Sequence, residues 1–163
     1  MNKLYQKSEI WFAVIWIIIY VVGTSFAENI SEGIGLSKSI TFIFHVVISV
    51  IVITWLNKNG LFGKYGICKP NAPASKFLYY IPLLIIISCN LWFGVTMNLT
   101  ITESILYAGS MICVGFLEEI IFRGFLFKAM AKDSVKAAII VSSITSGIGH
   151  IINLFNGNSD DPI

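Results

Sequence analysis

Residues 10–27 read IWFAVIWIIIYVVGTSFA, eighteen positions without a charged side chain. At about 1.5 Å rise per residue, a helix of that length nearly crosses the roughly 30 Å hydrocarbon core of a bilayer. A helix also satisfies its own backbone hydrogen bonds where no water can do so. Working outward, 39–56 is a second uncharged run in which His45 is the one titratable group, and 77–102 is a third. Residues 104–127 are apolar but interrupted by Glu118, Glu119 and Arg123, and 137–159 is apolar with a single histidine, His150. The predicted fold is therefore all-α: a polytopic transmembrane bundle of about five helices, over roughly 9–28, 38–56, 77–98, 102–131 and 135–156, forming one domain from 1 to 163.

Composition agrees. The 163 residues are 56% hydrophobic and 12% charged, with a mean hydropathy of +0.80. Soluble domains use about 25% charged residues to cover their surface. The net charge of +2 excludes a nucleic-acid binder, and the position of the charges says more than their sum. Lys3, Lys7, Lys58, Lys64, Lys69, Lys76, Lys128, Lys132 and Lys136 fall on one side of a five-span arrangement, leaving Lys38 on the other and Arg123 within the bilayer. By the positive-inside rule this predicts a multi-pass membrane protein with its N-terminus in the cytoplasm. Lys3 and Lys7 before the first run, with Ser25-Phe26-Ala27 after it, resemble a secretory signal. The length of the run and the spans that follow favour an uncleaved anchor. Trp11, Trp16, Tyr20 and Trp55 read as interfacial or packing aromatics. Cys68, Cys89 and Cys113 form no C-x-x-C pair and read as small hydrophobes. Residues 57–76 are the one long polar connection, rich in Gly, Pro, Asn and Lys, suited to turns and to anionic headgroups.

The segment Gly115-Phe116-Leu117-Glu118-Glu119-Ile120-Ile121-Phe122-Arg123 carries the chemistry. An ionised side chain at the centre of a membrane helix costs about 2.5–3.5 kcal/mol on insertion scales, so three in six residues require a reason. Glu119 and Arg123 are four apart, share a helix face and can pair. Glu118 is rotated by about 100° and has no local partner, as expected of a general base. A polar clamp between helices and a proton relay in a small transporter are the competing interpretations. His150 follows on the next apolar segment, with Asn153 on the same face and Gly147 and Gly149 admitting close helix approach. The acidic pair and His150 both lie about 20–27 Å from the intervening turn at helical rise. Taken alone, a histidine on an apolar helix is more often a satisfied core residue. The matching depth favours convergence.

Glu118-Glu119-x-x-x-Arg123, followed by Ser142-Ser143…Gly147-Ile148-Gly149-His150, resembles the CPBP family of intramembrane proteases over roughly residues 60–157. That family includes the type II CAAX prenyl endopeptidases and bacterial proteins of bacteriocin processing and self-immunity. The resemblance implies a metalloprotease-like intramembrane endopeptidase acting on a peptide or membrane-protein substrate. Glu118 would activate water, Glu119 and Arg123 would support the site, and His150 would hold the water or the oxyanion. Two departures stand out. Ser146 occupies the position where the family usually has Phe, and the family's second histidine motif is not found within the sequence, His45 being the other histidine. The second departure marks the chain as C-terminally truncated or degenerate. It keeps open an alternative, a catalytically incomplete member acting as a bacteriocin-immunity or membrane-binding protein. A divalent metal such as zinc would need about three protein ligands. Glu118, Glu119 and His150 supply that number only if all three converge, and no H-E-x-x-H is present.

Overall fold

The computed structural model describes residues 1–69, 73–82, 85 and 100–155, with the side chains of 74, 79 and 149–155 excepted. The described residues form helices and turns without a strand. A short amphipathic turn, α1 (Asn2–Lys7), leads into α2 (Glu9–Ile34) and α3 (Ser39–Lys58). A 3₁₀ stretch, Ala74–Tyr80, follows the polar loop. Next comes α4 (Ile101–Glu118), which continues without a break as a π-helical segment, Glu119–Phe127, and a last α turn, Lys128–Met130. Finally α5 spans Val135–Phe155. Among the described residues three helical stretches, Glu9–Ile34, Ser39–Lys58 and Ile101–Met130, are long and apolar enough to cross a bilayer. The chain is an integral membrane protein. Most of the expected third span, 77–98, lies outside the described residues.

The first long helix extends from the expected end near 28 to Ile34. Glu28, Asn29, Ser31 and Glu32 are polar without being helix breakers, and termination waits for Gly35 at φ 75°, a left-handed C-cap that glycine adopts without steric cost. The polar end also organises the next helix. Ser31 Oγ accepts from the backbone N–H groups of Ile40 (3.0 Å) and Thr41 (3.2 Å), satisfying orphan donors at the start of α3. Lys38 pairs with Glu28 across the same turn. At the start of α4, Thr100 and Glu103 form a reciprocal capping box.

Packing is tightest at the opposite end of the bundle. Phe12 and Trp16 of α2, Val52 and Leu56 of α3, and Leu117, Ile121 and Phe125 near the α4–π junction are buried together. Phe125 sits edge-on to Phe12 at 5.0 Å and to Tyr65 of the polar loop at 5.1 Å. Above this core, Glu9 Oε1 accepts from Lys64 Nζ (2.9 Å) and Lys132 Nζ (2.8 Å). Lys128 also reaches the Lys64 carbonyl. One carboxylate thus ties together the start of α2, the loop after α3 and the turn before α5. Elsewhere the helices show apolar side chains outward, Ile18, Phe26, Ile43, Ile105 and Ile112 among them, as lipid contact requires.

Two glycines leave room for phenylalanine rings of α3. A Cβ at Gly23 of α2 would lie 2.1 Å from Phe44 Cζ of α3, and one at Gly109 of α4 would lie 2.7 Å from Phe42 Cε2. Small residues at such crossings are how membrane helices gain contact area. At Gly147, which the sequence suggested for this role, no described atom lies within 4 Å of a built Cβ. Among the described residues the close approaches are those at Gly23 and Gly109.

Candidate active site

The acidic motif sits where α-helical winding gives way to π winding, with Glu118 as the last α residue and Glu119 the first π residue. A π-helix closes i→i+5 turns, is rare, and is frequently found at functional sites. The wider turn matters for geometry. It brings Arg123, five residues after Glu118, round towards the side that Glu118 occupies, while Arg123 keeps its i,i+4 contact with Glu119. Arg123 Nη1 donates to Glu119 Oε2 at 2.8 Å. The side chains of Arg123 and Glu119 are 76% and 59% exposed, so the pair is not clamped between helices. It opens onto a cleft.

That cleft, about 340 Å³, is lined by Gly115, Glu118, Glu119, Phe122 and Arg123 on one wall and by Ser142, Ser143 and Ser146 of α5 on the other. A shallower hollow of about 290 Å³ shares Arg123, Ser142 and Ser143 and runs on to Phe127 and Ile139. The floor is firm, since Ile120, Ile121, Phe122, Phe125 and Leu126 of the π segment are all buried. On α5 the cleft lining reaches Ser146, four residues before His150 in sequence. The backbone of His150 belongs to α5, whereas its side chain and those of Gly149 and Asn153 lie outside the described residues.

Glu118 does have a protein partner. Tyr20 of α2 donates its phenolic hydrogen to Glu118 Oε1 at 3.3 Å, across 98 residues of sequence. Tyr20 is buried against Phe122 and His45, with ring centroids 6.4 and 6.0 Å away. Tyr20, read as an interfacial or packing aromatic, packs in the core near the middle of α2, because that helix continues to Ile34. A phenol at that depth requires an acceptor, and the position of the residue within the longer helix is the signal that would have found it. Trp16 is also internal, while Trp11 faces outward. His45 is fully buried on α3 and holds Thr24 Oγ1 at 3.1 Å and Ser110 Oγ at 2.9 Å, away from the cleft lining.

Among the described residues no three His, Cys, Asp or Glu side chains gather as a metal-binding set. Arg123 takes one oxygen of Glu119, so the described carboxylates fall short of the three ligands of a typical catalytic zinc. The described cysteines, Cys68 and Cys113, are free. In the cleft, then, a carboxylate with one oxygen directed by a phenol stands beside a guanidinium–carboxylate pair and a row of hydroxyls. Such a set can bind a polar group, take up a proton and stabilise developing charge.

Residues 100–159 match the family model described as Type II CAAX prenyl endopeptidase Rce1-like. This segment is Rce1-like. The match supports membership of the CPBP family and begins at the capping box of α4. The Rce1-like segment takes in both walls of the cleft, whereas Tyr20 lies upstream of it. No curated protein and no solved structure gives a significant match to the chain.

Proposed function

We propose that the chain is an intramembrane endopeptidase of the CAAX/CPBP type, hydrolysing a peptide bond at bilayer depth with water activated by Glu118. The observation that carries this reading is the shared cleft: the Glu118 carboxylate and the Glu119–Arg123 pair face the serine row of α5 within an Rce1-like segment. Glu118 takes a proton from water as the oxygen attacks the peptide carbonyl. The same carboxyl then returns that proton to the departing amine. Arg123, held by Glu119, supplies positive charge beside the developing oxyanion, and His150, one turn beyond Ser146, is assigned to polarise the water or the oxyanion. The groove continuing towards Phe127 and Ile139 suits an extended segment of a membrane-protein or lipid-anchored peptide substrate. By its lysine-rich end the protein is oriented with its N-terminus in the cytoplasm.

The test is cleavage of a peptide by the purified protein in detergent. Glu118→Gln keeps the shape and removes the base, and general-base catalysis is worth about 10²–10⁴-fold. A loss of that size with the fold intact supports the reading. Full cleavage by the Glu118→Gln protein sinks it.

A further inference from the structure

The Rce1-like segment begins at residue 100, yet one polar contact to its central carboxylate comes from the first long helix. Tyr20 Oη stands 3.3 Å from Glu118 Oε1. The phenol cannot readily turn elsewhere. Its ring is 7% exposed and is held edge-on by Phe122 of the π segment, with the His45 ring on another side. His45 is itself occupied by Thr24 and Ser110, so it does not compete for the phenolic hydrogen. Among the described residues, the other polar groups around Glu118 are Glu119 and Arg123, bonded to one another, and the hydroxyls of Ser142, Ser143 and Ser146 across the cleft.

We propose that Tyr20 is a positioning residue for Glu118: its hydroxyl holds Oε1 and turns Oε2 towards the cleft, so that α2, outside the family-matched segment, completes the site. A carboxylate in an open cleft can rotate about its terminal torsion, which has broad, shallow wells. One fixed donor removes that freedom and leaves a defined oxygen facing the water to be deprotonated. The role in turnover rests on the proposed protease function, whereas the contact does not.

The test therefore has two arms on the full-length protein in detergent. In the first, ¹³C-glutamate infrared spectra of wild type, Glu118→Gln and Tyr20→Phe are compared. The Glu118→Gln difference identifies the Glu118 carboxyl band, and Tyr20→Phe is expected to displace that band while the melting temperature stays close to wild type, because the ring and its packing are retained. A band that does not move overturns the proposal. In the second arm, Tyr20→Phe is expected to lower kcat about 10- to 100-fold, the range for a hydrogen bond to a charged group, with KM within about twofold of wild type. A displaced band with unchanged kcat also overturns it, since the contact would then have no positioning role. Retained cleavage by Glu118→Gln would instead count against the protease reading, leaving the infrared arm to decide the contact.

Discussion

His45 Nδ1 lies 2.9 Å from Ser110 Oγ, joining α3 to α4 in the bundle interior through partners 65 residues apart in sequence. The other ring nitrogen meets Thr24 of α2, so one imidazole links three helices. Interhelical hydrogen bonds in membranes average about 0.6 kcal/mol and reach about 1.7. Ser110→Ala is expected to lower unfolding stability within that range, measured by unfolding in mixed micelles. The Thr24→Ala/Ser110→Ala double variant should lose more than either single change. No loss in either would show that the node is ornamental.

Gly23 and Gly109 should tolerate substitution poorly. A methyl group at Gly23 meets the end of the Phe44 ring, and overpacking of this kind typically costs about 1–3 kcal/mol. Gly23→Ala is expected to fall in that window, and Phe44→Leu added to it should restore part of the loss. Strict additivity of the two changes would mean that the residues do not touch.

The Glu119–Arg123 pair should matter little to folding. With side chains 59% and 76% exposed, it belongs with ion pairs worth about 0–1 kcal/mol. Arg123→Gln is therefore expected to shift stability by less than about 1 kcal/mol while reducing peptide cleavage at least tenfold. A variant that unfolds would place the pair in the scaffold instead.

Lys64 gives a pH signature at the lysine-rich end. Burial alone pushes its ammonium down from 10.5, but hydrogen bonds to Tyr5 and Glu9 and the charges of those groups outweigh it, and the net direction is up. A group raised on folding contributes stability that is complete below its ordinary value and is lost as pH rises through the folded one. Thermal stability of the wild type should thus fall more steeply than that of Lys64→Met as pH rises past the ordinary lysine value of about 10.4. Parallel curves would argue against the Glu9–Lys64 link.

Much of this architecture is written locally. The uncharged runs at 10–27 and 39–56 can only be helices in lipid, and the spacing of Glu119 and Arg123 places them together in α and π winding alike. Glu28, Asn29, Ser31 and Glu32 concealed the true end of α2 because hydropathy registers the lipid boundary and not the end of the helix, which Gly35 provides. That misplacement concealed Tyr20 as well. Its contact with Glu118 depends on which faces of α2 and α4 meet, a property of packing that no local pattern carries. The π winding was equally hidden, as EIIFRGFLF has the hydropathy of an ordinary helix.

Nine residues wound wide, from Glu119 to Phe127, leave slack in the middle of a membrane helix. Each residue there turns the chain through a smaller angle than in α-helix, so tightening the stretch would rotate Arg123 away from Glu118 while the helix stayed whole. Deleting one residue from Ile120–Phe122 as well would place the arginine four residues after Glu118, where α winding returns it to the same side. The spacing of the charged groups around the cleft is thus a matter of helical pitch, and it can be retuned without touching a single charged side chain.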